Sequence, residues 1–136
     1  MMRFILPIRL ISEANRAGSE HWRKRHRRAK AQRLLAALRT AAVWNVEVRR
    51  RVGALEWIRI IGTPEAVSEP LVVTLVRIAP RALDSDNLAG CAKHVRDGIA
   101  DALGIKDNDP RVEWRVEQRR GKPKEYAVEI VIESKA

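Results

Sequence analysis

The stretch from Leu83 to Arg111 reads LDSDNLAGCAKHVRDGIADALGIKDNDPR. It holds six aspartates, although the whole protein, of 136 residues, has a formal net charge of +10. The preceding residues 71–78, LVVTLVRI, are rich in β-branched side chains and lie between two prolines. They predict a central strand that is covered on both faces. An acidic segment directly after such a strand, in a basic protein, is where we expect a functional site.

Asp84 and Asp86 lie two positions apart just beyond this strand. In extended backbone, residues i and i+2 point the same way, so both carboxylates can converge on one point. Asp86 is suited to cap the following helix, with Ser85 as the alternative, and the segment is then a polar strand-to-helix turn. The functional interpretation is a site for Mg²⁺ or Mn²⁺, since all-oxygen ligands suit these hard cations. A second acidic pair, Asp107 and Asp109, follows in the turn IKDNDPR and could return beside the helix.

Residues 87–103 are predicted to form one helix with two faces. At about 100° per residue, its aliphatic face collects Leu88, Cys91, Ala92, Val95, Ile99, Ala102 and Leu103. The opposite side carries Lys93 and Asp97, which are i,i+4 neighbours and can form a weak ion pair. Cys91 is therefore predicted to be a buried structural thiol rather than a nucleophile. Gly104 is the expected left-handed cap of the helix.

The whole chain, residues 1–136, is predicted to form one small α/β (α+β) domain with a mixed sheet and two main helices. The other predicted elements are an edge or irregular strand at 3–11, a loop at 12–19, a long helix at 20–44 and alternating strands at 112–118 and 126–133. The basic turn RRGKPKE separates the last two strands, which predicts a β-hairpin with a cationic tip. Residues 45–69 admit either a short strand around 55–61 or a helical extension followed by a loop, and Trp57 and Ile58 suggest burial there.

The long helix is predicted to be basic in its first half and core-forming in its second. Its apolar residues are Leu34, Leu35, Leu38 and Ala42. Its predicted DNA-binding residues are Arg23, Lys24, Arg25, Arg27 and Arg28, and the hairpin tip adds Lys122 and Lys124. Such a cationic run is either a solvated face or a surface that neutralises phosphates. Trp22 is expected to pack rather than to stack on a base.

The composition excludes several classes of function. One cysteine excludes an internal disulfide framework and a Cys-rich zinc site, and it suits a reducing compartment such as the cytoplasm. The N-terminal apolar run is too short for a signal sequence, and no run approaches the roughly 20 residues that span a bilayer. The three histidines lack zinc-ligand spacing, and no glycine-rich phosphate loop is present.

The run DSDNL, a helical lysine, an aspartate four residues later and a DND turn before a strand resemble the RusA family of Holliday-junction resolvases. The opening LPIRLISEAN is similar to the family's first strand and Asn-containing loop, so the resemblance covers most of the chain in order. It implies a small α/β domain that forms a homodimer. It also implies an Mg²⁺-dependent endonuclease, with Mn²⁺ as a substitute, that cuts four-way DNA junctions.

The resemblance also implies roles for individual residues. The implied catalytic residues are Asp84, Asp86, Lys93 and Asp107, and the implied metal ligands are Asp84, Asp86, Asp107 and Asp109. Lys93 lies about one helical turn beyond the family's lysine, where this chain has Gly90, and a shift of three residues turns a side chain by only about 60°. Asn108 separates the two acids of the turn, and Asp107 is favoured as the last ligand. The alternatives are a non-catalytic branched-DNA-binding protein of this fold and a basic RNA- or ribosome-associated protein.

Overall fold

The computed structural model describes residues 1–12 and 21–135, which form a mixed four-stranded sheet with four α-helices, an α+β fold. The helices are α1 (Trp22–Val52), α2 (Ala54–Ile60), α3 (Ser85–Cys91) and α4 (Lys93–Leu103). The strands are β1 (Met2–Leu6), β2 (Leu71–Ala79), β3 (Val112–Arg120) and β4 (Ala127–Ser134), and a 3-10 turn covers Pro64–Ala66. The predicted Asn-containing loop and the predicted helix start at Ser19 or Glu20 lie outside the described residues.

The sheet order is β1-β4-β2-β3, so β2 is an interior strand, as its apolar sequence predicts. It runs parallel to β3 and antiparallel to β4, and β4 pairs antiparallel with β1. Strand β1 lies at the edge and ends immediately before Pro7, because proline cannot donate to the sheet. One face of the sheet packs under the helices around a core that includes Leu75, Ile130 and Trp44.

The predicted hairpin of the last two strands is wrong. Strands β3 and β4 do not pair, because β2 lies between them. Their connection crosses the carboxyl end of β2, where the Gly121 backbone N–H donates to the carbonyl of Ala79 at 2.8 Å. Alternation identifies a strand but not its partner. Strand β2 is apolar on both faces and has two edges to satisfy, so it accepts one of these strands on each side.

The face of helix α1 that packs against the core is not the predicted one of Leu34, Leu35, Leu38 and Ala42. Leu34 and Leu38 are each 61% exposed, Ala42 is exposed, and Leu35 is half-buried against the core. The buried face consists instead of Gln32, Ala36, Thr40, Trp44 and Val48.

The reason lies in the close crossing of α1 and α4 at Gly98. A Cβ atom on Gly98 would stand 2.2 Å from the backbone carbonyl oxygen of Arg33 and 2.8 Å from the Cβ of Ala36. Only small side chains fit between helices that approach this closely, and branched residues there would overpack the contact. Leu34 and Leu38 therefore turn away from α4.

Residues 45–69 adopt the helical alternative, and the short strand around 55–61 is absent from the structure. Helix α1 continues to Val52, and Gly53 then turns the chain with φ 85° and ψ 165°, a conformation essentially restricted to glycine. Helix α2 follows at once. Trp57 is half-buried against the core, as expected, whereas Ile58 is 66% exposed and the expectation of burial is wrong for it.

The single helix predicted over 87–103 is interrupted. Helices α3 and α4 meet at Ala92, which has φ −96° and ψ 0°, and Gly90, a poor helix former, lies in the last turn of α3. Cys91 is buried, as predicted. Gly104 caps α4 in the left-handed conformation, with φ 73° and ψ 26°, which confirms the predicted helix end. Among residues 1–12 and 21–135, no helix is long and apolar enough to cross a membrane.

Candidate functional site

Asp84, and not Asp86 or Ser85, caps the helix that follows the central strand. Its Oδ1 accepts a hydrogen bond from the Asn87 backbone N–H at 2.9 Å. The expected cap was wrong because α3 starts at Ser85, so Asp86 already lies in the first turn. There its exposed carboxylate benefits from the positive end of the helix dipole. The two aspartates thus lie at an exposed strand-to-helix turn, and the Asp84 carboxylate is partly used by the cap.

This turn is held in place from two sides. The side-chain amide of Gln118, on β3, pairs with the backbone of Leu83: its Oε1 accepts from the Leu83 N–H at 2.9 Å, and its Nε2 donates to the Leu83 carbonyl at 2.8 Å. On the other side, the Ser12 hydroxyl donates to Asn87 Oδ1 at 2.7 Å. The aspartates therefore lie on a loop that is held in place by Gln118 and Ser12, two residues from distant parts of the chain.

Asp107 is anchored through its backbone. Its carbonyl accepts from Trp114 Nε1 at 2.9 Å and from Arg96 Nη2 at 3.3 Å. The Arg96 guanidinium also lies over the Trp114 ring, 5.1 Å from its centroid. The Asp107 carboxylate is about half exposed and comes within 3.8 Å of Arg96 Nη2. These contacts leave the carboxylate accessible, with a cation beside it.

Strand β3 sets the spacing between the two acidic segments. Trp114, which holds Asp107, and Gln118, which holds Leu83, lie on one face of β3, with Val116 between them, because side chains alternate along a strand. Four residues of strand correspond to about 13 Å. The predicted site is therefore an elongated row along β3, with the Asp84 turn near one end and Asp107 near the other.

Lys93 and Asp107 line the same two depressions on this side of the molecule. One, of about 330 Å³, also involves Gly90, Arg96 and Val116. The other, of about 380 Å³, also takes in Arg33, Asp97 and Asp101. Lys93 Nζ lies 3.2 Å from Asp97 Oδ2, which confirms the predicted i,i+4 ion pair. The fold thus brings together two predicted catalytic residues that are distant in sequence.

Asp109 has a different environment from Asp107. Its Oδ1 accepts from the backbone N–H of Arg111 at 2.9 Å and from Nε at 3.1 Å, and its Oδ2 accepts from Nη2 at 2.9 Å. These hydrogen bonds lower the pKa of the Asp109 carboxyl below its usual value. Arg111 also donates to the carbonyl of Val67 at 2.7 Å. Asp109 therefore helps to fix the start of β3, and Asp107 is the acid of this turn that faces the depressions.

The carboxylate oxygens of the site are of the type that a hard cation prefers, but they lie too far apart to bind one ion together. Asp84, Asp86 and Asp107 offer the carboxylate oxygens that Mg²⁺ and Mn²⁺ prefer. Yet within residues 1–12 and 21–135 no three His, Cys, Asp or Glu side chains lie close enough together to hold one ion. As folded, these residues present one exposed aspartate pair and a separate third acid, and three protein ligands are not assembled among them.

The predicted DNA-binding cations are mostly accessible. Arg23, Lys24 and Arg27 are exposed on α1, whereas Arg25 and Arg28 are half-buried. Lys122 and Lys124 are exposed on the connection that crosses the end of β2.

Trp22 does not pack into the core as expected. It is 58% exposed, and its ring stacks at 5.8 Å on that of His21. The first turn of α1 is too far from the sheet-facing part of the helix to bury it. An indole exposed among cations is available to a partner.

Sequence reasoning missed several residues that shape this region. Trp114 and Gln118 anchor the two acidic segments, and the alternation of β3 was the available signal that they share a face. Arg77, buried on β2, was hidden inside an otherwise apolar strand pattern. Nothing in the sequence pattern distinguished Asp107 from Asp109.

Comparison of the chain with protein-family models, curated proteins and solved structures finds no match. The resemblance to the RusA family therefore stays a prediction. The function has to be argued from the residues described above.

Proposed function

We propose that this protein is an Mg²⁺-dependent, structure-selective endonuclease that hydrolyses phosphodiester bonds in four-way DNA junctions, in recombination and repair. The observation that carries the proposal is the pair of depressions shared by Lys93 and Asp107, with a positioned aspartate turn near the other end of the row along β3. The resemblance of the DSDNL segment to the RusA family assigns roles to these same residues. The exposed cations of α1 support an anionic partner.

In this proposal the residues divide the chemistry between them. Asp84, Asp86 and Asp107 would hold the ion, and a bound Mg²⁺ would supply orientation of the attacking water and stabilisation of charge on the phosphodiester. The Lys93 ammonium binds the phosphate and stabilises its developing negative charge. The proposal requires the two acidic segments to converge along β3 when the ion and DNA bind. Asp97 keeps the Lys93 ammonium at the depression beforehand.

Junction cleavage in Mg²⁺ tests the assignment. Asp86→Asn and Asp107→Asn are each expected to lower the cleavage rate by about 100-fold or more, since a ligand is removed. Asp109→Asn is the matched control, two positions away in the same turn, and should keep most of the activity at a temperature where it is folded. Equal cleavage by wild type and Asp86→Asn would contradict the site, as would a larger loss with Asp109→Asn than with Asp107→Asn.

A second candidate is a branched-DNA- or RNA-binding protein that does not cut. The separation of the acids in the described part of the chain favours it. Titration with Mn²⁺, followed by paramagnetic broadening of side-chain resonances, distinguishes the two candidates. The nuclease predicts broadening at Asp84, Asp86 and Asp107 together, whereas the binding protein predicts none of it while junction affinity is kept.

We also propose a homodimer, because paired incisions need two sites. Four apolar residues that are exposed in the structure recur every fourth position of α1, namely Leu34, Leu38, Ala42 and Val46. This exposed stripe of α1 is a suitable contact for a second copy of the chain. A cytoplasmic location is proposed with it, on the lone, buried cysteine.

A further inference from the structure

Arg77 is an arginine enclosed within the fold, with only 7% of its surface exposed. It lies on the same face of β2 as Val73 and Leu75 of the core, two positions beyond Leu75, so its side chain lies at the carboxyl end of that core. Its Nε donates to the carbonyl of Leu10 at 3.1 Å, and its Nη1 donates to the carbonyl of Arg81 at 2.7 Å. These carbonyls satisfy hydrogen bonds but carry no charge. No carboxylate in the described part of the chain pairs with Arg77.

Two adjoining cavities, of about 300 and 320 Å³, meet at Arg77. Together they are lined by five arginines, Arg9, Arg77, Arg81, Arg119 and Arg120, which we call the arginine pocket. Of the residues that the structure describes, no aspartate or glutamate lines either cavity. The Arg9 guanidinium lies 4.1 Å from the centroid of the Tyr126 ring, a cation–π contact that holds it at the pocket wall.

This arrangement selects an anion. A buried charge is costly when, as here among the described residues, no carboxylate pairs with it, and an oxyanion would supply both the opposite charge and acceptors for the remaining N–H groups. The planar guanidinium matches phosphate oxygens in a two-point contact, which a lysine cannot reproduce. Cations are repelled by five like charges, and a neutral ligand would leave them uncompensated.

We propose that the arginine pocket binds a phosphate group of the DNA backbone next to the aspartate turn, an inference that rests on the proposed function for its choice of DNA. The pocket leads directly into that turn, since Arg81 precedes Asp84 by three positions. Gln118 lines the pocket and also holds Leu83. A phosphate bound in the arginine pocket would fix the position of the DNA strand relative to Asp84 and Asp86.

The first experiment measures junction binding without cleavage, in Ca²⁺, over a range of salt concentrations. Arg119→Ala is expected to weaken binding by about tenfold and to reduce the salt dependence by about 0.9, the value for one phosphate contact. Arg115→Ala is the matched control on the same strand, because Arg115 is exposed, pairs with Glu113 and lies outside the pocket. Equal affinity and equal salt dependence for the two variants overturn the proposal.

The second experiment uses inorganic phosphate as the probe, so that it does not depend on DNA. Phosphate is expected to raise the thermal midpoint of the wild type above that in chloride at equal ionic strength, because it binds the folded state. Arg115→Ala should keep the wild-type rise, whereas Arg77→Lys and Arg119→Ala should show a smaller one, reduced to the general stabilising effect of phosphate. Arg119 is exposed, so its variant tests the pocket even where Arg77→Lys fails to fold.

The outcomes separate the pocket from the nuclease. A wild type that binds junctions through the pocket but does not cut them supports the pocket and counts against the proposed activity. A rise with inorganic phosphate, without pocket-dependent DNA binding, overturns the DNA backbone as the source of the phosphate. The phosphate site is overturned altogether if the pocket variants match the wild type both in the rise of the thermal midpoint with phosphate and in DNA binding.

Discussion

At the scale of single residues, Asp107 and Asp109 show how neighbours of the same type diverge. Both precede β3, yet the Asp109 oxygens accept from Arg111 while the Asp107 carboxylate faces a depression with Lys93. The difference lies in their partners: Arg111 donates to both carboxylate oxygens of Asp109, whereas Trp114 binds Asp107 through its backbone carbonyl alone.

The Asp109 ion pair predicts a pH-dependent stability. Its folded-state pKa is lowered, chiefly by the side-chain hydrogen bond from Arg111, so its contribution is fully present above the ordinary aspartate pKa of about 3.9. The contribution is lost as the pH falls through the lower folded-state pKa. Asp109→Asn is expected to cost about 1–3 kcal/mol at neutral pH. Urea unfolding at several pH values checks this, and a gap that persists unchanged at pH 2 would contradict it.

Two helical glycines predict opposite effects of the same substitution. Gly98→Ala places a methyl group against the Arg33 carbonyl and should destabilise the fold by about 1–3 kcal/mol or more. Gly90→Ala enters open space in α3 and should stabilise it by about 0.5–1 kcal/mol. Denaturant unfolding of both variants makes the comparison. The close crossing is refuted if Gly98→Ala is as stable as wild type.

At the scale of elements, helix α1 has a buried face that packs into the fold and an apolar face that remains exposed. Its buried face consists of Gln32, Ala36, Thr40, Trp44 and Val48, whereas Leu34 and Leu38 remain outside. A helix of 31 residues is about 46 Å long. Its buried positions begin at Gln32, and in the turns before it Trp22, Arg23, Lys24 and Arg27 remain accessible.

The exposed stripe of α1 predicts the effect of a charge on self-association. Leu38→Glu should weaken a dimer by tenfold or more, because an apolar contact is replaced by a buried charge, an effect of at least about 1.4 kcal/mol. The monomer should keep its stability to within about 0.5 kcal/mol, as for other surface changes. Sedimentation equilibrium gives the dissociation constant.

Leu55→Glu is the control, since Leu55 is a still more exposed leucine, on α2 and outside the stripe. A wild type that remains monomeric, or an equal loss of dimer with both variants, would contradict the role of the stripe.

At the scale of the whole molecule, the charge of +10 is distributed unevenly around the acidic row. The aspartate turn has the arginine pocket on one side, and the cationic end of α1 adds a further positive surface. In the proposed function, these cations would hold the anionic DNA and the acids between them would recruit the metal ion.

The cationic end of α1 predicts a loss of affinity that is general across DNA forms. Replacing Arg23, Lys24 and Arg27 by alanine should reduce the salt dependence of binding by about 0.9 for each phosphate that is no longer neutralised, on duplex and junction alike. A variant lacking Arg39, Arg49 and Arg50 carries the same change of charge in the later part of α1 and should change the slope less. Fluorescence anisotropy at several salt concentrations measures both, and equal slopes would assign the effect to net charge alone.

The features that depend on local neighbours could be predicted from the amino-acid sequence. Periodicity identified strand β2 and the aliphatic face around Cys91, and residue chemistry identified the cap at Gly104 and the Lys93–Asp97 pair. Each of these depends on neighbours within about one turn of helix or one strand, so the pattern alone carries the information.

The features that depend on residues distant in sequence could not be predicted without the fold. The insertion of β2 between β3 and β4 follows from pairing across the whole chain, which alternation does not encode. The outward positions of Leu34 and Leu38 follow from the close approach of α1 and α4 at Gly98. The Asp109 carboxylate is bound by Arg111 and the Asp107 backbone by Trp114, which leaves, of these two, only the Asp107 carboxylate facing the depressions. Arg77 is a candidate phosphate-binding residue because the fold buries it next to other arginines. Its burial and the lack of a compensating carboxylate among the described residues depend on how the whole molecule packs.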